Sequence, residues 1–157
     1  MLNQSLLVSS AACGVMAGIY FAFSVFIMKA FASMPGPSGA VAMRAINDVI
    51  LKTAFMPLFF LSTALCAVLS IFAAFNWEDR GSGIILSAAL LYVVGMFVVT
   101  AAFNVPLNNK LAALNMQTID VEITWKSYVQ IWTNYNHIRA VSSLGACLLF
   151  AYAYKTI

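Results

Sequence analysis

The sequence predicts an all-α integral membrane protein, a four-helix bundle of up-down-up-down topology in a single domain spanning residues 1–157. Three observations predict it. Of the 157 residues, 63% are hydrophobic and only 8% charged, against about 25% charged in a typical soluble domain. So few charges cannot coat a soluble globule of this size, and the apolar surface left over must face lipid. Four apolar stretches approach the roughly 20 residues a helix needs to cross the hydrocarbon core. The unusual polar residues collect at those ends of the stretches that an up-down-up-down order brings to one membrane face.

The first stretch runs from about residue 5 to 28. It is too long for a signal-peptide core and has no basic residues before it, so it is expected to be a retained membrane helix. Met34-Pro35-Gly36-Pro37 breaks the chain, and Ser38 is placed to cap an amphipathic helix with Val41, Ala45 and Val49 on one side. The second stretch covers about 53–75 and ends in the short polar turn Asn76-Trp77-Glu78-Asp79-Arg80-Gly81-Ser82. The third covers about 83–103, with Pro106 expected to disturb the helix soon after. The fourth covers about 138–154, with its helix extending N-terminally to near Asp120. Nothing alternates as barrel strands would.

Lys29, Arg44, Lys52, Lys110, Lys126 and Arg139 fall in the first and third connections, while Arg80 and Lys155 fall elsewhere. The positive-inside rule places the first and third connections in the cytoplasm, in a bacterial inner membrane. The net charge of +3 is scattered singly, which argues against nucleic-acid binding. Cys13, Cys66 and Cys147 lie inside apolar stretches without metal-ligand spacing and read as small packing residues. Gly14 and Gly18 form a GxxxG pattern that permits close helix approach, within the bundle or in a homo-oligomer.

Ala22-Phe23-Ser24-Val25-Phe26-Ile27 and Ala102-Phe103-Asn104-Val105-Pro106-Leu107 align at an offset of 80. Two duplicated helical hairpins would produce this, related by an axis along the membrane normal. With the longer third connection allowed for, Asn47-Asp48 falls opposite Asn136-His137, so Asp48 and His137 are expected to meet across the bundle. His137 is the only histidine. Alone it is a poor metal site, and no metal or other cofactor is expected. Haem ligation by His137 is a minor alternative. His137 reads either as a base oriented by Asp48, because imidazole titrates near neutral pH, or as a structural hydrogen-bonded histidine near the headgroups. Asn104 and Asn108 flank Pro106 and read either as helix-ending caps or as donors to a developing oxyanion. Trp125, Tyr128, Trp132, Tyr135 and Arg139 follow steps of three and four on one helix face. They suit either an interfacial aromatic belt or the wall of a pocket for a flat ligand. Candidate catalytic residues are therefore His137, Asp48 and Arg139. Candidate substrate-binding residues are Asn47, Asn104, Asn108, Trp132, Tyr135 and Asn136.

Phe21-Ala22-Phe23-Ser24, Ala45-Ile46-Asn47, Asn104-Val105-Pro106-Leu107-Asn108 and Trp132-x-x-x-Asn136-His137-x-Arg139 resemble the anthrone oxygenase-like family of small membrane proteins. The resemblance runs over nearly the whole chain. It implies a four-helix membrane fold and, by analogy with fungal members that oxidise anthrones to anthraquinones, a cofactor-independent reaction of an apolar aromatic or quinol-like substrate with molecular oxygen. In that chemistry His137 would remove a proton, Asn104, Asn108 or Arg139 would stabilise the enolate, and Trp132 and Tyr135 would stack on the rings. Fold does not settle function. A membrane protein that binds a quinone, haem or lipid without turnover, or an accessory subunit, would use the same residues differently.

Overall fold

The computed structural model describes residues 1–35, 37–116 and 121–157. Within these residues the chain is entirely helical. One continuous helical run comprises α1 (Leu2–Ala22), a π-helical turn (Phe23–Ile27) and α2 (Met28–Ala32). Then follow α3 (Ser38–Ile50) and α4 (Phe55–Phe75). A second continuous run comprises α5 (Ser82–Tyr92), π-helical turns at Val93–Val98 and Thr100–Asn104, and α6 (Val105–Ala113). The chain closes with α7 (Val121–Thr156). The proposed helix start at Asp120 and the Gly36 of the Pro-Gly-Pro break lie outside the described residues.

Among the described residues three runs are long and apolar enough to cross a membrane: Leu2–Ala32, Phe55–Phe75 and Ser82–Ala113. The fourth expected stretch lies in α7, which does not reach that standard, because Arg139, Ser142 and Ser143 interrupt its apolar half. The runs of 31 and 32 residues are about 46–48 Å long at 1.5 Å per residue, well beyond the roughly 30 Å of hydrocarbon. Their ends therefore project past the apolar zone, where α2, α3, α6 and the first half of α7 pack together. Many large apolar side chains point outward, among them Val15, Phe21, Leu61, Val68, Val141 and Leu148. A surface of this kind is suited to lipid rather than to water.

The long helices form a closed ring in the order α1, α4, α5, α7. Ser10, early in α1, bonds the carbonyl of Cys147, late in α7, whereas Ser24 past the end of α1 meets Asn136, early in α7. The two helices are therefore antiparallel. Two apolar clusters fill the interior. One lies along the long helices and includes Met16, Tyr20, Phe59, Cys66, Tyr92, Met96 and Phe150. The other lies under the projecting cap and includes Met28, Met43, Leu111, Trp125, Tyr128 and Trp132.

The third stretch does not stop near Phe103 as Pro106 suggested. It continues to Ala113, because the π-helical turn at Thr100–Asn104 precedes the proline and Pro106 occupies the first turn of α6, where a missing N–H costs nothing. The amphipathic helix predicted after the Pro-Gly-Pro break is α3, with Val41 and Val49 exposed and Gly39, Ala40 and Met43 buried. The polar turn after α4 reverses at Gly81, whose φ of +86° is left-handed. Gly14 serves packing inside the bundle, since a Cβ there would sit 3.2 Å from Cys147 Sγ, while Gly18 has open space around it.

Gly95 sets how closely the second π-helical stretch approaches α7. A Cβ built there would lie 2.5 Å from Ser142 Cβ. Gly95→Ala should therefore force the two helices apart at a cost of about 1–3 kcal/mol, whereas Gly18→Ala should be neutral. Thermal unfolding of the two detergent-solubilised variants checks this, and equal midpoints would contradict the packing described.

Candidate functional site

Arg139 is the centre of the site. It is only 5% exposed. Among the described residues no carboxylate forms an ion pair with it, and its electrostatic neighbours are Tyr20 and Tyr128. Its polar partners are neutral. The guanidinium donates to Asn136 Oδ1 at 2.5 Å and, more weakly, to Thr100 Oγ1 at 3.4 Å. It lies over the rings of Tyr20 and Trp132, 4.4 and 4.9 Å from their centroids. These cation–π contacts return part of the lost hydration. Its Nε is buried without a partner.

Asn136 holds this arrangement together and is fully buried. Its Nδ2 donates to the Tyr20 carbonyl at 2.7 Å and to Ser24 Oγ at 2.6 Å, and its Oδ1 takes the Arg139 bond. The Ser24 end of this link lies in the π-helical turn Phe23–Ile27, and Thr100 lies in the other run's turn Thr100–Asn104. Single π-helical turns often occur at functional positions, where they re-aim side chains within an otherwise regular helix.

Beside Arg139 is a cavity of about 290 Å³ lined by residues from α1, α3, α4, α6 and α7 and from the π-helical turns of both long runs. Its wall is mostly apolar: Ile19, Phe23, Met43, Ile46, Phe55, Phe59, Phe97 and others. The polar positions are Tyr20, Asn47, Thr100, Asn108 and Arg139, with the Trp132 ring alongside. The volume sits near the lower end of the range for small-molecule sites, roughly 300–1,000 Å³. Leu51 and Phe60 line the cavity and are also exposed to the exterior. With Ala101 and Val105, which are also exposed lining residues, they mark where the cavity meets the outer surface, between α4 and the second run.

The structure brings together only part of the residues that the sequence singled out. Arg139, Asn47, Asn108 and Trp132 reach the cavity. Asn108 Oδ1 accepts from Tyr128 Oη at 2.8 Å and from Trp132 Nε1 at 2.9 Å, so its amide oxygen fixes the aromatic stripe. Asn104 is buried and donates to the Trp132 carbonyl at 3.2 Å, tying the third stretch to α7. Asn136 supports Arg139 from behind. Tyr135 leaves the stripe and stacks on Phe103, with centroids 4.3 Å apart. Trp125, Tyr128 and Trp132 are buried in a stack rather than spread at a lipid surface.

The expected Asp48–His137 pair is not formed. Both residues are exposed, and neither lines the cavity. The reason is helix phase: one residue is about 100° of rotation. With Asn136 and Asn47 turned inward, the residues that follow them must turn away. Pseudo-equivalence of the two positions holds only in the sense that both face outward. Direct pairing of Asp48 with Arg139, which would have closed the cavity, is also not made.

Tyr20 and Thr100 were missed because each is a single mildly polar residue in an apolar run. The offset of 80 was the signal that could have found them. It pairs Tyr20 with Thr100, and both touch Arg139. It also pairs Ser24 with Asn104, which both bond α7, and Phe23 with Phe103, which lie against Trp132 and Tyr135.

The family model described as anthrone oxygenase matches residues 51–149. The chain belongs to the anthrone oxygenase family. The matched segment runs from the end of α3 to late α7 and includes Thr100, Asn104, Asn108, Trp132, Asn136 and Arg139. Tyr20 and Asn47, which complete the cavity, lie on the part of the chain before it. No curated protein and no solved structure matches the chain. Among the described residues no group of three or more histidine, cysteine or carboxylate side chains is placed to hold a metal ion.

Removing the Asn136 side chain leaves the guanidinium without its shortest acceptor. Asn136→Ala should cost about 2–3 kcal/mol, while His137→Ala on the outer face should stay within about 0.5 kcal/mol. Thermal melts in detergent followed by circular dichroism test both, and a comparable loss in His137→Ala would show that the imidazole has a structural partner.

Proposed function

We propose that the protein is a membrane-embedded oxygenase that takes a flat, apolar, enolisable substrate of the anthrone class from the bilayer and lets its enolate react with molecular oxygen. The observation that carries this reading is Arg139: a buried cation on the wall of an apolar cavity with no carboxylate partner among the described residues. Such a group is stabilised by a negative charge that arrives with the ligand or develops on it. The family membership and the outward-opening apolar mouth at Leu51 and Phe60 support the same reading.

The reaction balances without a metal or an organic cofactor. Anthrone loses its methylene proton to water at the cavity, and its carbonyl oxygen becomes an enolate oxyanion against Arg139. The enolate carbon attacks oxygen to give a peroxide, which takes up a proton. Loss of water from that hydroperoxide leaves the quinone carbonyl, so one anthrone and one O2 give one anthraquinone and one water. Among the described residues the cavity wall carries no carboxylate and no imidazole. Proton removal therefore depends on the field of Arg139, which makes the substrate more acidic, and not on Asp48 or His137. Trp132 and Phe23 offer ring faces for the substrate.

This reading includes α7 as a fourth span, completing an up-down-up-down bundle whose polar interior hides Arg139 from lipid. The basic residues Lys29, Arg44, Lys52, Lys110 and Lys126 favour placing the cap on the cytoplasmic side of an inner membrane.

Oxygen consumption by purified protein with anthrone tests the proposal. Uptake should exceed that of anthrone alone, with one anthraquinone formed per O2. Arg139→Gln should lower the catalysed rate by about 10²–10³-fold, the usual effect of deleting an oxyanion donor. His137→Ala should change it less than about threefold (~0.6 kcal/mol). No uptake above the background rate would overturn the reading.

A further inference from the structure

Two buried polar atoms on the cavity wall that lack a partner are both donors. Arg139 Nε and Asn47 Nδ2 are buried and unpartnered. Two neighbouring acceptors are already in use. Asn108 Oδ1 accepts two bonds. Thr100 Oγ1 takes the Arg139 contact while its own hydrogen goes to the Met96 carbonyl at 2.6 Å. Tyr20 adds a further donor that is only weakly engaged. Its hydroxyl is buried beside Thr100 and Arg139 and donates to Met96 Sδ at 3.3 Å. A thioether is a weak acceptor, so a charged oxygen placed nearby would take over that hydrogen with a stronger bond.

We infer that the cavity takes its ligand as an oxyanion, held between the Arg139 guanidinium and the Tyr20 hydroxyl, and that Tyr20 is the second donor to the substrate oxygen. The inference rests on the site proposed above and narrows its ligand to fused aromatics with an oxygen that can ionise. Fused aromatics without one should bind only through their rings. Tyr20 comes from α1 and Arg139 from α7, so the two donors converge from helices joined by the Asn136 link.

Binding of 2-hydroxyanthraquinone tests this, because its visible band shifts on ionisation and it needs no turnover. Unsubstituted anthraquinone, followed by quenching of tryptophan fluorescence, serves as the neutral control. Wild-type protein should lower the apparent pKa of the bound hydroxy probe by at least about one unit, a tenfold preference for the anion. Tyr20→Phe keeps the ring and its packing. It should cut that preference by about fivefold or more, as loss of a charge-assisted hydrogen bond does, with anthraquinone affinity unchanged within about twofold (~0.4 kcal/mol). Anthraquinone binding also reports that the variant is folded. Binding of the hydroxy probe without any pKa lowering, or full lowering in Tyr20→Phe, would overturn the inference. The two proposals separate cleanly. Anion preference without oxygen uptake sinks the oxygenase reading and leaves the anion site standing, and uptake without anion preference does the reverse.

Discussion

A buried guanidinium with only neutral partners constrains the rest of this structure. Arg139 sits where hydration is lost, and removing a cation from water costs several kcal/mol even after local relaxation. An ion pair would be the usual compensation. Here the compensation is spread over two aromatic faces, one amide oxygen and one hydroxyl. Each must be held in place, which explains why so much of the architecture converges on this point. Asn136 is fully buried because its two ends serve different masters: the amide nitrogen locks α7 to α1, and the oxygen receives the cation.

Helix geometry supplies the positions. A regular α-helix repeats every 3.6 residues, and a stretch of π-helix changes the phase of everything after it. The two long runs both contain such turns at the level of Arg139. They let Tyr20 and Ser24 on one run, and Thr100 and Asn104 on the other, all face α7. The correspondence at an offset of 80 extends from sequence to contact. Paired positions all contact α7, though by different bonds: Ser24 accepts from Asn136 while Asn104 donates to the Trp132 carbonyl.

The cap beyond the apolar zone has a different role. Helix α3, the end of the second run and the first half of α7 bury Trp125, Tyr128 and Trp132 in a stack fixed by Asn108. Of that stack, Trp132 lines the cavity, and exposed Leu51 and Phe60 line it on the outer side.

Composition and hydropathy were enough to place this chain in a membrane, because a shortage of charges and long apolar runs have few other physical outcomes. Motif residues also identified the family, since Asn104-Val105-Pro106-Leu107-Asn108 and Trp132 through Arg139 stand out against an apolar background. Helix phase was not legible to the same degree. Asp48 and His137 carry attractive chemistry, yet a rotation of one residue from Asn47 and Asn136 turns both outward. Pro106 looked like a terminator, but a π-helical turn absorbed it. Tyr20 and Thr100 looked like ordinary members of apolar runs until the fold set them against Arg139. The sequence by itself determined the solvent, the helices and the inventory of polar groups, because these follow from local composition and length. Only the tertiary structure decided which of those groups meet, because that depends on the relative rotation of packed helices, and no local pattern encodes it.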